Sequence, residues 1–322
     1  MSKLGLYILF VFSAVMAEAQ TDVMYNIIVA QDGSGDFTSI QKAIDATKAF
    51  PPKPITIFIK NGIYKEKVCI PSWNNTLSII GEDVDKTIIS WDDYFDKINR
   101  GRNSTFFTYT LKIDADDVKL ENLTVENTAG LVGQAVAIHV EGNRCSFNNC
   151  KFLGNQDTAY LTGENSKQLF TNCTISGTTD FIFGSATVVF DSCTIISKSD
   201  SYITAASTPK TKDYGFVFIN CKLIAEENVS RVYLGRPWRP YAKTVFLNCV
   251  QGKHIHPEGW KEWSNKEDKS TTYYAEYKNS GSGASTNERI IWSHQLSDSE
   301  AKKYTKKNIF GNWIINKKEG AK

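Results

Sequence analysis

The feature that most constrains the fold is a four-residue motif that occurs five times between residues 147 and 249. Each copy has an aromatic residue, a variable residue, a small polar residue and a cysteine. The copies end at Cys150, Cys173, Cys193, Cys221 and Cys249, at intervals of 23, 20, 28 and 28 residues. A related unit, LENL, ends one step earlier at Leu123. Self-similarity at this spacing indicates a solenoid, in which each repeat covers the hydrophobic face of the next.

The segments between the motifs indicate which solenoid this is. Short β-rich runs lie at 120–125, 135–140, 187–190, 215–219 and 244–247, separated by Gly, Asn, Asp and Ser turns. No helix of ten to fifteen residues fits between them, which excludes leucine-rich and helical repeats. We therefore predict an all-β fold, a parallel β-helix, with the cysteines packed as small hydrophobic residues in an interior row. In an oxidising compartment one neighbouring pair, Cys173 with Cys193, could instead form a disulfide.

Both ends of the solenoid need cover. Residues 38–47 predict a capping helix, with Thr38 and Gln41 as a capping box and an apolar stripe on one face. The repeat stops after about residue 265. We expect the tail, which includes a short helix near 297–307, to pack along the solenoid flank and form no second domain.

The N-terminus resembles a secretory signal. Lys3 precedes an apolar run, 4–16, that is too short to span a bilayer comfortably, and Ala17-Glu18-Ala19 matches a cleavage site. We predict a signal peptide over 1–19, a single domain over 20–322, secretion, and no membrane association of the mature form. With 37 Lys and Arg against 35 Asp and Glu, the net charge of +2 argues against nucleic-acid binding.

Three polar residues recur in step with the solenoid. Gln134, Asp157 and Asp180 are 23 residues apart, twice over, the same interval as that between the first two cysteines. If one coil takes 23 residues, their side chains stack on one face, about 5 Å apart. The pKa values of two stacked carboxyl groups would move apart, so that one group stays charged and the other keeps its proton and can act as a general acid. Gln156 lies next to Asp157 and, like Gln134, offers a neutral donor to a developing oxyanion.

A second candidate segment is YLGRPWRP, over 233–240. Its Gly and Pro residues predict a rigid turn that carries Arg236, which can fork onto a carboxylate, and Trp238, which can stack on a sugar ring. The four histidines have no Cys or carboxylate partners at ligand spacing, although His254 and His256 alone could bind a metal weakly. We therefore predict no metal site.

At these residues the chain resembles the pectin methylesterases, or pectinesterases, which are carbohydrate esterases with a right-handed parallel β-helix. The resemblance covers almost all of the predicted mature chain. The matching segments are VAQDGSGDFTSIQKAI (29–44), GIYKEKV (62–68), ENTAG (126–130), GQAVAI (133–138), GNQDTAY (154–160), GTTDFIFG (177–184), YLGRPW (233–238), PEGWKEW (257–263) and YYAEYKNSGSG (273–283).

The resemblance implies a role for each site residue. Asp180 would be the nucleophile, and Asp157 the acid and later the base. Gln134 and Gln156 would form the oxyanion hole, and Arg236 would orient the nucleophile. The implied substrate contacts are Trp238, Phe181, Tyr160 and, by position alone, Thr110. The implied partner is methyl-esterified homogalacturonan, which a secreted monomer would convert to pectate and methanol. The implied mechanism needs no cofactor.

Other functions stay open from the sequence. A pectate lyase or polygalacturonase on the same fold would need acids clustered for calcium or an acid pair at the glycosidic bond, whereas the acids here are flanked by glutamines. A non-catalytic pectin-binding β-helix would be expected to lack one of the five polar positions. An esterase that acts on another acylated polysaccharide would keep all of them.

Overall fold

Three parallel β-sheets wind around one core in a computed structural model of the chain. The structure describes residues 24–264 and 269–315. The chain visits the three sheets in turn, so every strand pairs in parallel with the strands one coil before and after it. This arrangement is a parallel β-helix, and the predicted fold is confirmed.

The sheets are named here in the order in which the chain first visits them. Sheet 1 contains Asn26–Val29, Ile55–Ile59, Leu77–Gly81, Lys119–Glu121, Cys145–Asn148, Lys167–Thr171, Thr187–Asp191, Phe216–Ile219, Lys243–Leu247, Tyr273–Tyr277 and His294–Gln295. Sheet 2 contains Gly62–Lys65, Thr87–Trp91, Thr124–Asn127, Lys151–Leu153, Thr174–Gly177, Thr194–Ser197, Lys222–Ala225 and Val250–Gln251. Sheet 3 contains Val68–Ile70, Leu111–Ile113, Ile138–Val140, Ala159–Leu161, Ile182–Gly184, Tyr202–Ala206 and Tyr233–Pro237.

The repeated motif sets the register of sheet 1. Its aromatic residues, Phe147, Phe170, Phe190, Phe218 and Phe246, pair directly with one another in successive coils. Their rings stack in the core with centroids 4.3, 5.1, 4.4 and 4.3 Å apart. Each such contact contributes about 0.5–1.5 kcal/mol beyond the burial of the ring. The irregular intervals read from the sequence are therefore the true lengths of the coils.

The polar residue of each motif makes the bend from sheet 1 to sheet 2. Five of these residues have a left-handed backbone, with φ from 50° to 58°: Asn149, Asn172, Ser192, Asn220 and Asn248. Asn tolerates this conformation better than most residues because its short side chain can bond locally. The cysteine after each bend points inward and is at most 1% exposed. All seven cysteines are free thiols, so the disulfide considered between Cys173 and Cys193 does not form.

The predicted N-terminal cap is present as the helix Ile40–Asp45, which buries three residues of one face. Its N-cap is Ser39, so the capping box expected from Thr38 and Gln41 is wrong. The carboxylate of Glu66 takes its place and accepts the N–H groups of Ile40 and Gln41 at 3.1 and 3.0 Å. Glu66, which directly follows the first strand of sheet 2, thus accepts hydrogen bonds from N–H groups that have no acceptor within the helix.

The tail packs along the outer face of sheet 1, as predicted. The expected helix over 297–307 is two short helices, Asp298–Ala301 and Lys306–Phe310, followed by Asn312–Ile315. Strand Tyr273–Tyr277 also joins sheet 1, so the solenoid continues beyond the expected end of the repeat. The buried contact joins Leu296, Ile309 and Phe310 to Leu169, Val189, Val217, Val245, Leu247 and Ala275.

The remaining helical segments are short. They are the helix Phe95–Ile98 and the 3-10 turns Gly101–Phe107 and Lys269–Thr271. Across 24–264 and 269–315, no helix combines the length and the apolar character needed to cross a membrane. The predicted signal peptide, 1–19, lies outside the described residues.

Candidate active site

The two predicted carboxylates occupy the same bend of consecutive coils, where the chain passes from sheet 2 to sheet 3. Ala159 pairs with Ile182, which places Asp157 opposite Asp180. Both aspartates have a left-handed backbone, with φ of 65° and 49°. Both are also buried, at 9% and 6% exposure. Such a conformation costs a non-glycine residue on the order of 1 kcal/mol and is often found at functional sites.

The glutamines form a second row beside the carboxylates. Gln134 pairs with Gln156 in a parallel bridge, and both side chains are half-buried. The expectation that Gln134 stacks in line with Asp157 and Asp180 is therefore wrong by one residue. The four polar groups still lie at the same corner of three consecutive coils, whose neighbouring strands are about 4.8 Å apart.

Arg236 reaches the carboxylate of Asp180 from two coils away. Its Nε donates to Oδ1 at 3.0 Å and its Nη2 donates to Oδ2 at 2.6 Å, a bidentate fork. The guanidinium lies between the rings of Tyr202 and Trp263, with each centroid 4.0 Å from Cζ. The fork expected from the YLGRPWRP segment is present, and the two rings that hold it were missed by sequence reasoning.

The two carboxylates differ in their electrostatic surroundings. Burial raises the pKa of Asp157 well above its ordinary value, and the negative charge of Asp180 raises it further, while the more distant Arg236 opposes the rise. Burial also raises the pKa of Asp180, but its hydrogen bonds to Arg236 lower it. Since no cation among the described residues contacts Asp157 directly, Asp157 is the group that holds a proton, and Asp180 is the carboxylate held in its charged form.

Aromatic side chains line the outer face of sheet 3 beside these groups. Tyr160 stacks on Phe183 with centroids 4.7 Å apart, and Phe183 meets the edge of Trp238 at 5.9 Å. Phe106 and Tyr109, from the segment that precedes the sheet 3 strand Leu111–Ile113, complete this aromatic cluster. Tyr160 and Trp238 were expected there. Phe183 was missed, although it follows Tyr160 by the same 23 residues that separate the aspartates.

Two predicted substrate contacts lie elsewhere. Phe181 is fully buried in the main core, so the expectation that it faces the groove is wrong. Its inward position follows from the left-handed bend at Asp180, which resets the alternation of faces before the next strand. Thr110 is also fully buried, and its hydroxyl donates to the carbonyl of Glu126 at 2.8 Å. Thr110 therefore ties sheets 2 and 3 together and does not reach the surface.

A short loop with a left-handed glycine at each end borders the glutamines. Gly130 and Gly133 have φ of 85° and 96°, and Leu131 between them is 83% exposed. A cavity of about 140 Å³ separates this loop from the bend that carries Gln156. Within the described ranges, no group of three or more His, Cys, Asp or Glu side chains could hold a metal ion.

Taken together, these groups can perform acyl transfer. A charged carboxylate oriented by an arginine can attack a carbonyl, and a protonated carboxyl beside it can supply a proton to the leaving group. Amide donors next to both can stabilise an oxyanion. Flat rings along the adjacent face suit the apolar faces of sugars.

Comparisons with known proteins agree with this geometry. A family model described as Pectinesterase matches residues 26–312. Pectinesterase 31 of Arabidopsis thaliana is 37% identical over 281 residues, which are 85% of this chain and 88% of that protein. Pectinesterase 5 of the same plant is 38% identical over 304 residues, and the chain spans about half of its length, 50%.

Solved structures give the same result. A pectin methylesterase from carrot matches with a TM-score of 0.85 at 31% identity, covering 92% of this chain and 97% of that one. A crystal structure of a pectin methylesterase in complex with a hexasaccharide matches with a TM-score of 0.78 at 28% identity, over 91% and 98% of the two chains. The resemblance seen in the sequence is confirmed, and the chain belongs to the pectinesterase family of carboxylic ester hydrolases.

Proposed function

We propose that the protein hydrolyses the C6 methyl esters of homogalacturonan, with Asp180 as nucleophile and Asp157 as acid and base. Family membership and the match to a hexasaccharide complex support this class of substrate. The observation that carries the assignment of roles is the fork of Arg236 on Asp180 beside the buried, unpaired carboxyl of Asp157.

The first step is attack of the Asp180 carboxylate on the ester carbonyl. The carbonyl oxygen becomes an oxyanion, which the amide groups of Gln134 and Gln156 stabilise as donors. Collapse of the intermediate breaks the bond to the methoxy oxygen, which takes the proton from Asp157 and leaves as methanol. The acyl group is then bound to Asp180 as an anhydride, and Asp157 is ionised.

The second step uses water. The ionised Asp157 accepts a proton from a water molecule, whose oxygen attacks the acyl carbon. The glutamines stabilise the second oxyanion in the same way. Its collapse releases the galacturonate carboxylic acid and restores the charged Asp180 and the protonated Asp157. The cycle consumes one water per methanol and needs no cofactor.

We also propose that the protein is secreted and acts as a monomer on a polymer. The apolar run at 4–16, followed by Ala17-Glu18-Ala19, supports export. The half-buried rings of Tyr160 and Trp238, which pack on the buried Phe183, suit contact with a long chain. Size-exclusion chromatography with light scattering tests the monomer.

The test is methanol release from highly methylated pectin by wild type and by Asp180→Asn, with viscosity followed in parallel. The matched control is Asp117→Asn, because Asp117 also has a left-handed backbone, with φ of 59°, and a bidentate arginine. We expect methanol from wild type and from the control, none from Asp180→Asn, and unchanged viscosity. Viscosity loss without methanol would assign chain cleavage, and near-normal turnover by Asp180→Asn would overturn the mechanism.

A further inference from the structure

The two glutamines are held on separate segments that are joined by a side chain outside the reacting groups. Asn155 immediately precedes Gln156, and its Nδ2 donates to the carbonyl of Gly130 at 3.0 Å. Gly130 begins the loop that leads to Gln134. This bond lies beside the small cavity between the loop and the bend, which Asn155 also lines, and it ties the segment of one glutamine to that of the other.

A lysine from two coils further on fixes this asparagine. Lys198 Nζ donates to the side-chain Oδ1 of Asn155 and to the carbonyl of Gly154, both at 2.9 Å. With its oxygen engaged by Lys198, the amide of Asn155 is oriented so that its nitrogen faces Gly130. Lys198, Asn155 and Gly130 thus form a hydrogen-bonded bridge that spans four consecutive coils. Gly130 and Asn155 lie on adjacent coils, and Lys198 lies two coils beyond Asn155.

The position of Lys198 is not explained by an ion pair. No salt bridge joins its ammonium to a carboxylate in the part of the chain that the structure describes. The side chain is half-buried, and two of its donors are used on groups within two residues of Gln156. A long flexible side chain loses rotamer entropy when it is held in this way, which a surface charge alone would not require.

The loop on the other side has little else to fix its tip. Leu131 is 83% exposed and Val132 is 42% exposed, so neither packs into the core. The glycines at both ends adopt left-handed conformations that a change in neighbouring contacts can alter at low cost. The backbone of Gln134 is held separately, because its carbonyl accepts from the N–H of Phe95 at 3.0 Å and the carbonyl of Gln156 accepts from the N–H of Ala135 at 3.1 Å. The bridge therefore fixes the loop before Gln134, and this loop borders the space in which the two glutamine side chains lie.

We propose that Asn155 and Lys198 are positioning residues that hold the side-chain amides of Gln134 and Gln156 in place for the developing oxyanion. The inference rests on the proposed function, because it assigns a role within that reaction. Oxyanion donors act mainly on the transition state, so their displacement lowers kcat and leaves substrate affinity largely intact. Removing one such donor outright costs roughly 100- to 1,000-fold, and a misplacement of about 1 Å can cost about 100-fold.

The experiment measures kcat and KM for methanol release by Asn155→Ala, Lys198→Met and Lys198→Arg. We expect kcat to fall at least about tenfold in the first two variants with KM within about twofold, and to recover in Lys198→Arg, which keeps a cationic donor. Asn148→Ala and Lys222→Met are matched controls with normal kcat. Asn148 bonds Glu121 at 3.0 Å on exposed sheet 1 surface, and Lys222 is exposed on sheet 2.

The double variant Asn155→Ala with Lys198→Met separates positioning from general stability. If Lys198 acts through Asn155, its removal has no further effect on kcat once Asn155 is alanine. The proposal would be overturned if the kcat losses of the two single variants multiplied in the double variant, or if KM rose while kcat stayed normal. It would also be overturned if kcat fell in parallel with thermal stability and fell in Lys198→Arg as well. Active wild type with unchanged variants refutes only the positioning role, whereas inactive wild type refutes the proposed function and this role with it.

Discussion

Replacement of Arg236 by methionine tests most directly whether the arginine keeps the carboxylate of Asp180 charged. Methionine keeps an apolar chain between the rings of Tyr202 and Trp263 but removes the fork on Asp180. The side chains of the pair are 20% and 8% exposed, so the remaining carboxylate stays largely desolvated. Loss of one partner from a buried pair costs about 3–5 kcal/mol while the other stays charged. At 1.36 kcal/mol per tenfold, the acid dissociation constant of Asp180 falls at least about a hundredfold.

The expected result has a sign as well as a size. Without Arg236 the pKa of Asp180 rises further, so the acid limb of the kcat/KM profile moves to higher pH, and activity is lost most at low pH. The matched control is Arg144→Met. Arg144 forks onto Asp117 with contacts of 2.7 and 2.6 Å, but the two side chains are 36% and 33% exposed, and such exposed pairs contribute about 0–1 kcal/mol. An unmoved acid limb in Arg236→Met, with kcat/KM close to that of wild type, would refute the reasoning.

Three further predictions concern stability. Because the pKa of Asp157 is raised in the folded state, folded protein keeps a proton that the unfolded chain releases above about pH 4, so stability falls as pH rises through that window. Asp157→Asn should therefore be inactive yet melt at a higher temperature than wild type at pH 7, with no gain at pH 3 by calorimetry. Cys221→Ser places a hydroxyl in the core and should lower the free energy of unfolding by about 1–3 kcal/mol in urea titrations. Cys69→Ser, on the half-buried outer face, is the control and should have a small effect. Equal losses of stability in the two variants would contradict the placement of Cys221 in an interior row. Arg289→Met removes the cation that lies 2.7 Å from the carboxylate of Glu276, whose side chain is 2% exposed. The free energy of unfolding should fall by about 3–5 kcal/mol in the same titrations while kcat stays normal. A fall of less than about 1 kcal/mol would contradict this.

The course of the solenoid was predictable because its period is carried by residues that face the core. Each Phe and Cys of the motif meets its counterpart in the next coil, so the sequence intervals equal the strand register even where they are irregular. Strand ends were less predictable. The expected strand over 120–125 is broken at Asn122, whose φ of 56° turns the chain from sheet 1 to sheet 2. A left-handed residue interrupts pairing without changing composition, so propensity alone does not reveal it.

The site was predictable to the extent that it shares this register. The 23-residue interval placed Asp157 opposite Asp180, and the same interval would have placed Phe183 beside Tyr160. Gln134 and Gln156 are 22 residues apart, and this shorter coil shifted the expected row by one position. The stacking of Arg236 between two rings depends on a segment beyond the last sheet 3 strand, whose path no local pattern specifies.

The bends at Asp157 and Asp180 show why these residues are aspartates at all. Their left-handed backbone does not require a carboxylate, because asparagine meets the same demand at five bends between sheets 1 and 2 in this chain. A carboxylate at these positions is also costly, since burial raises the pKa of both groups and so opposes the charged state. Asparagine would avoid that cost while keeping the shape of the side chain. The free energy given up here is therefore accounted for by chemistry that an amide cannot perform, which is attack by one oxygen and proton transfer by another.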